Sequence, residues 1–426
     1  MSDKYRIRIA DAMLVRKLAG QGAVLIEGPK WCGKTTTAEQ HAKSVVYMAD
    51  NKKKHSYLQL AEIDPDALLD GEIPHLIDEW QVAPKLWDAV RFAVDHRKGV
   101  GHFILTRSAV PADTKEIVHT GTGRFAWLTM RPMTLWESGE SNGRVSLQQL
   151  FAHPDRITAT NDLSLKEIAF LICRGGWPQA VDMTDRNVAL DQARHYYDAV
   201  VKQDISRVDG VNRRPERVKR LMRSYARHQG SQASLSVIRQ DLLANDTHEL
   251  KEETINTYIH ALKKIFVIEE MEAWNPNLRS KSAIRTSNTR YFIDPSIATA
   301  ALGLGPEDLM NDLNSFGLLF ETLCVRDLRV FAGALDGEVY HYRDKSGLEC
   351  DAVVHLRNGS YGLIEIKLGG EKLIEEAVVT LKTLSSQIDT ERMKAPAFLL
   401  VLTAVGDFAY RRQDGVYVVP IGCLKD

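Results

Sequence analysis

Gly28-Pro29-Lys30-Trp31-Cys32-Gly33-Lys34-Thr35 is the stretch that decides the fold of this chain. It fits G-x-x-x-x-G-K-[ST], the phosphate-binding loop. Its neighbours supply what that loop needs. Ala23 to Glu27 is a short apolar run, read as a buried strand, and Thr35 to Ala42 has the composition of a helix. A strand, a glycine-bounded turn and a helix N-terminus aim several backbone N–H groups at one point, where the helix dipole favours an anion. Lys34 would reach the β- and γ-phosphates of a nucleotide, and Thr35 would offer its hydroxyl to Mg²⁺. The candidate nucleotide-binding set is Gly28, Pro29, Lys30, Trp31, Cys32, Gly33, Lys34, Thr35 and Thr36, with ATP and Mg²⁺ as the expected cofactors.

Outward from this loop, short apolar runs at 23–27, 44–48, 74–77 and 102–106 alternate with helical patterns such as 84–96. Alternation of this kind predicts a parallel sheet with helices on both faces. Leu76-Ile77-Asp78-Glu79-Trp80-Gln81 is an apolar strand running into two acids. Asp78 is placed to enter the Mg²⁺ shell and Glu79 to act as general base on the attacking water. Phe103-Ile104-Leu105-Thr106-Arg107-Ser108 is a further core strand with a polar end. Thr106 and Arg107 are the candidates for sensing the γ-phosphate. In His119-Thr-Gly-Thr-Gly-Arg124, two glycines precede an arginine, which marks Arg124 as a candidate arginine finger reaching a neighbouring subunit.

The bulk composition is that of an ordinary globular protein, 44% hydrophobic and 26% charged. A net charge of −1 excludes whole-molecule attraction to nucleic acid, so such binding requires a local patch. The five cysteines show no C-x-x-C pair, which argues against a zinc site or disulfide framework. No run approaches a membrane span. The expectation is a cytoplasmic protein.

The fragments GPKWCGKT, LIDEWQ, FILTRSAVP, HTGTGR and MRPMTLWESGES together resemble bacterial and archaeal AAA-type ATPases that carry a C-terminal domain of unknown function, number 4143. The resemblance runs over nearly the whole chain. It implies an AAA-like core close to the signal-transducing ATPases. The family usually has Gly after the sensor Thr, and Arg107 departs from that pattern. Thr106-Arg107 is instead similar to the sensor arginine of the signal-transducing class. Gly176-Trp177-Pro178 resembles the lid motif of the same class, which implies that Pro178 packs near the adenine.

Residues 206–275 read as a winged helix-turn-helix. Val218, Leu221, Met222 and Tyr225 make one apolar helix face, and Arg213, Arg214, Arg217, Lys219, Arg220, Arg223 and Arg227 stand around it. A third helix from Glu252 has Ile255, Ile259, Leu262 and Phe266 inward, with Lys263 and Lys264 among its outward positions. Phe266–Trp274 and Arg290–Ile293 are expected to pair as the wing, with a basic loop from Arg279. DNA is the expected partner, with ends or branched junctions as candidate structures.

The last third carries a second acidic pattern. Glu321 lies on a helix, Asp351 on a strand, Glu365 and Lys367 two apart on the next strand, and a helix follows from about Glu371. Residues two apart share a strand face. This order is the core of PD-(D/E)XK nucleases. There, Asp351, Glu365 and Glu321 would hold Mg²⁺, and Lys367 would orient the metal-bound water.

The expected organisation is an α/β chain with four parts. Residues 1–150 form a P-loop parallel-sheet ATPase core and 151–205 a helical lid. Residues 206–295 form a winged helix, and 296–426 a restriction-nuclease-like α/β domain. The function reading is an ATPase that remodels or processes DNA, with homo-oligomers as a candidate assembly. The other reading is a signal-transducing nucleotide switch that binds a protein partner.

Overall fold

The structure is a computed structural model that describes residues 5–110, 120–152, 157–243, 251–275 and 287–426. Five parallel strands form the first sheet: β1 (Ala23–Glu27), β2 (Ser44–Tyr47), β3 (His75–Asp78), β4 (Phe103–Arg107) and β5 (Phe125–Thr129). Their order is β2-β3-β4-β1-β5. β1 is central, paired with β4 on one side and β5 on the other. Alternate residues go to opposite faces. Val24, Ile26, Ile104 and Leu128 join one apolar cluster, whereas Ala23, Leu25, Phe103 and Leu105 join another. A strand buried on both faces reads as a continuous apolar run, which is why β1, β3 and β4 were legible. β5 was not anticipated; it is an edge strand on which only Phe125 and Leu128 are buried.

Because all five strands are parallel, the turns after their C-terminal ends lie along one edge. The phosphate-binding loop follows β1, residues 48–53 follow β2, Glu79 follows β3, and Ser108 follows β4.

Next come β6 (Val145–Ser146) and β7 (Ala159–Thr160), and then the helices Leu165–Arg174 and Arg186–Ala199, the second ending in a π-turn at Val200–Asp204. Three helices follow at Pro215–Arg227, Leu235–Leu243 and Glu252–Lys264. The expected wing forms only in outline. Ile268 bridges Phe292 and Met271 bridges Thr289, both antiparallel, and a third bridge leads away from the wing, from Ala273 to His341. Phe266 is not an inward helix residue. It lies beyond the helix end at φ 57°, and Ile265 takes the buried place. Arg279 and His119 lie outside the described residues.

The second sheet comprises β8 (Gly337–Arg343), β9 (Glu349–Leu356), β10 (Tyr361–Lys367), β11 (Phe398–Thr403), β12 (Phe408–Arg411) and β13 (Tyr417–Pro420), with β7 as its far edge. β8, β9 and β10 are antiparallel neighbours, while β10, β11 and β13 run parallel. Helix Leu313–Ala334 packs with the face that carries Ala352, Ile364 and Leu400. Helix Glu371–Gln387 packs with the other face, carrying Val353, Leu363 and Val401. β14 (Leu424–Lys425) pairs in parallel with β6. Among the described residues no helix is long and apolar enough to cross a membrane.

Candidate functional site

The phosphate-binding loop is held from both sides. A Cβ built on Gly28 falls 2.0 Å from the Met130 carbonyl oxygen, so only glycine fits between β1 and the chain after β5. Gly33, at φ 99°, turns the chain into the helix Lys34–His41. Cys32 is fully buried, and its Sγ faces the Met130 carbonyl. Trp31 is exposed at φ 64°. Lys30 reaches away from the loop, with Nζ 2.6 Å from Asp204 in the π-turn. Lys34 is buried, and its Nζ donates to the Pro29 carbonyl at 2.6 Å, so its ammonium lies within the loop's own curve.

Beneath the loop a line of hydrogen bonds joins the helix Lys34–His41 to β3 and β4. Thr35 Oγ1 donates to Asp78 Oδ1 at 2.6 Å, and Thr106 Oγ1 donates to the same oxygen at 2.7 Å. The Glu79 backbone N–H donates to Thr106 Oγ1 at 3.0 Å. Glu79 stands at φ 55°, a left-handed conformation uncommon for a residue with a side chain. Its Oε2 accepts from Ser108 Oγ at 2.9 Å and from Gln81 Nε2. Thus Thr35, Asp78, Glu79 and Thr106 are brought together. Ser108 and Gln81 join them as positioning groups absent from the sequence reading.

Two of the predicted residues have other commitments. Arg107 forms an ion pair with Glu27, its register partner across β4 and β1, through Nε at 3.0 Å and through Nη2. Arg124 donates to Asp95 at 2.8 and 3.2 Å, on the helix Leu86–His96 of the same chain.

A cavity of about 350 Å³ opens beside the loop. Gly33, Thr36 and Thr37 form one wall, Pro178 and Gln179 another, and Tyr5 and Arg8 a third. Arg8 is the residue sequence reasoning missed. Its buried guanidinium donates to the Cys32 carbonyl at 2.9 Å, to the Arg131 carbonyl at 2.9 Å and to Glu137 at 3.0 Å. It braces the loop against the MRPMTLWESGES segment. No local pattern around Arg8 signals this, because every partner is distant in sequence.

This donor set fits the expected ligand. A glycine cradle, a buried ammonium and a helix N-terminus suit a polyphosphate. A hydroxyl and a carboxylate on one oxygen line suit Mg²⁺, which takes few protein ligands and fills its shell with phosphate oxygens and water.

The segment next to the cavity is anchored by a buried ion triad. Arg326 Nη1 lies 2.8 Å from Asp294 Oδ2, its Nε 2.8 Å from Asp327 Oδ1, and its Nη2 2.7 Å from the same carboxylate. Asp294 also accepts the Gly176 N–H at 3.0 Å, and Asp327 accepts the Leu135 N–H at 2.9 Å. Burial pushes the Asp327 carboxyl up to about 6, against the pull of Arg326.

In the C-terminal part, Glu321, Asp351, Glu365 and Lys367 converge in the predicted order of elements. Lys367 Nζ stands between Asp351 at 3.0 Å and Glu365 at 2.7 Å, and Glu321 accepts from the Tyr291 hydroxyl. Among the described residues no three His, Cys, Asp or Glu side chains are grouped to hold a metal ion. Burial, reinforced by the nearby Asp351 charge, pushes Glu321 and Glu365 up to about 8. One ammonium serves three carboxyls, so the cluster stays near neutral by retaining protons.

Three cations of the segment read as a winged helix are paired with acids. Lys263 and Arg290 both pair with Glu270, at 2.7 and 3.1 Å, and Arg213 is buried against Asp209 at 2.6 Å.

Comparison with known proteins gives family matches to three parts of the chain. Residues 20–138 match the family model described as AAA domain. Residues 165–308 match a domain of unknown function, DUF8612, and residues 316–424 match another, DUF4143. The chain thus carries an AAA domain in its N-terminal part and a DUF4143 domain in its C-terminal part. No curated protein matches the chain. Among solved structures, one match is the Aeropyrum pernix ORC1 protein in complex with DNA, at 12% identity and TM-score 0.23, covering 70% of this chain and 93% of that one. Another is Drosophila ORC bound to DNA, at 13% identity and TM-score 0.20, covering 69% and 85%.

Proposed function

We propose that this chain is a Mg²⁺-dependent ATPase that binds DNA and couples hydrolysis to its remodelling or processing. The observation that carries the hydrolytic reading is the continuous line Thr35–Asp78–Thr106–Glu79. Lys34 and the loop N–H groups bind the phosphates, and Thr35 and Asp78 would hold the metal. Bound Mg²⁺ would neutralise charge on the β- and γ-phosphate oxygens. Glu79, oriented by Ser108 and Gln81, accepts the proton of the attacking water at its Oε1. Thr106 ties the base to the metal-binding acid, so the two are placed by one hydroxyl. Pro178 and Gln179 close the base side of the cavity.

ATP turnover with and without DNA tests the proposal. Glu79→Gln is expected to lower turnover by about 10²- to 10⁴-fold while leaving ATP binding intact. Turnover equal to wild type would remove Glu79 from the reaction.

A second reading has its own support. The wing cations are neutralised by Glu270, and the wing segment is bridged to β8 through Ala273 and His341. That arrangement suits a nucleotide switch whose winged helix meets protein rather than DNA. Stimulation of turnover by DNA favours the first reading, and slow turnover with retained nucleotide the second.

A further inference from the structure

The winged helix was the expected DNA contact, yet the described part of its wing offers little uncommitted positive charge. The sheet edge that carries the nucleotide site offers more. Lys52, Lys53, Lys54 and His55 follow β2 in an unbroken run, and all four are exposed. Among the described residues none of the three lysines has a carboxylate within ion-pair distance. Asp50, the nearest acid in sequence, uses Oδ1 to accept the Lys52 backbone N–H at 2.9 Å.

The placement of this run is costly for the fold. The lysines stand where the helix Lys54–Ile63 begins, and the first turn has no acidic residue and no side-chain cap. Cations there oppose the helix dipole, and three adjacent ammonium groups repel one another. Among the described residues the acid bonded at this helix start is Asp50, through the Lys52 N–H, and it stands against three lysines, so the run makes sense as a contact for an external polyanion. An aromatic ring lies beside it. Lys53 Nζ stands 5.9 Å over the half-buried Tyr57 ring, and Tyr47 is exposed at the end of β2. Basic groups interleaved with aromatic faces suit a nucleic-acid strand, which offers both phosphates and bases.

The strand before the run also adjoins the hydrolytic site. Tyr47 is the register partner of Asp78, and the Met48 N–H donates to the Asp78 carbonyl at 3.1 Å. The Tyr47 hydroxyl donates to Glu39 on the helix that follows the phosphate-binding loop.

We propose that Lys52, Lys53 and Lys54, with Tyr57, form a contact for the phosphodiester backbone of DNA on the ATPase domain itself. β2 passes its occupancy to Asp78. This rests on the DNA reading above and locates the contact away from the winged helix.

The test uses the full chain and compares wild type with the triple variant Lys52→Gln, Lys53→Gln, Lys54→Gln. Lys345→Gln, Lys372→Gln and Lys382→Gln together serve as the charge-matched control in the C-terminal part. Binding of labelled single-stranded and duplex DNA is measured across a salt series, together with ATP turnover. The triple variant is expected to bind more weakly, with a log–log salt slope shallower by about 2 to 2.7. Basal turnover is expected to be unchanged and DNA stimulation lost. If wild type binds DNA and the triple variant binds with the same affinity and slope, the lysine contact is overturned and the DNA reading stands. If wild type binds no DNA at any salt concentration, both fall. Polyglutamate bound in preference to DNA at matched ionic strength overturns the proposal in favour of an acidic protein partner.

Discussion

Replacing Arg326 by Met removes the one cation in a buried triad, and the structure gives the size of the effect. Arg326 is about 3% exposed, and Asp294 and Asp327 are fully buried. The guanidinium makes three contacts of 2.7 to 2.8 Å to these two carboxylates. Removing one partner from such a group costs about 3–5 kcal/mol, because the remaining charges stay desolvated. The two acids differ in what they retain. Asp294 keeps the N–H groups of Gly176 and Ser296 and the Ser296 hydroxyl. Asp327 keeps only the Leu135 N–H. Asp327 is therefore the group that takes up a proton. Its carboxyl already stands at about 6, and without the guanidinium it rises further. The folded state then holds a proton that the unfolded state releases above about pH 4. The variant gains stability as pH falls from neutral toward that value, by up to about 1.4 kcal/mol per unit. Urea denaturation at several pH values, followed by tryptophan fluorescence, measures both effects. Adding Asp327→Asn to Arg326→Met should restore much of the loss at neutral pH. A single variant that loses under about 1 kcal/mol with no pH dependence would refute the reasoning. ATP affinity should fall with stability, because Asp294 and Asp327 hold Gly176 and Leu135 beside the nucleotide cavity.

Three other outcomes follow from the same geometry. Gly28→Ala puts a methyl 2.0 Å from the Met130 carbonyl and should abolish ATP binding in filter or calorimetric assays. Arg107→Ala frees the Glu27 carboxylate beside the phosphate site and should weaken ATP binding on the order of tenfold. Adding Glu27→Gln should restore it, and equal defects in both variants would mean that Arg107 itself touches the nucleotide. Glu321 and Glu365, both near 8, bind protons in the folded state that the unfolded chain has released above about pH 4.5. Stability should therefore fall as pH rises from about 5 to 8, and Glu321→Gln should flatten that slope; a wild-type curve already flat over this range would contradict the raised values.

The phosphate-binding loop and the acids after β3 were legible because each is a short local pattern with a chemical reason for its spacing. The order of elements around Glu321, Asp351 and Glu365 was legible for the same reason. The commitments of the charged side chains were not. Arg107 has Glu27 as its partner, 80 residues away, and Arg8 has Glu137, 129 residues away. No periodicity encodes such pairs. Arg107 and Arg124, which look free in sequence, are each supplied with an acid by the folded chain. The two-residue strands β6, β7 and β14 were equally invisible, since two residues carry no alternation.

Those short strands bear on how the chain is made. β14 at Leu424–Lys425 lies against β6 at Val145–Ser146, and the Ser146 hydroxyl donates to the Asp426 carbonyl across 280 positions of sequence. β7 likewise waits for β12 before it has a partner. During synthesis the first sheet can form early, but β6 and β7 have no partner strand until β14 and β12 emerge. The pairing of β6 and β7 thus depends on strands far along the chain, and their edges stay open until those strands are made.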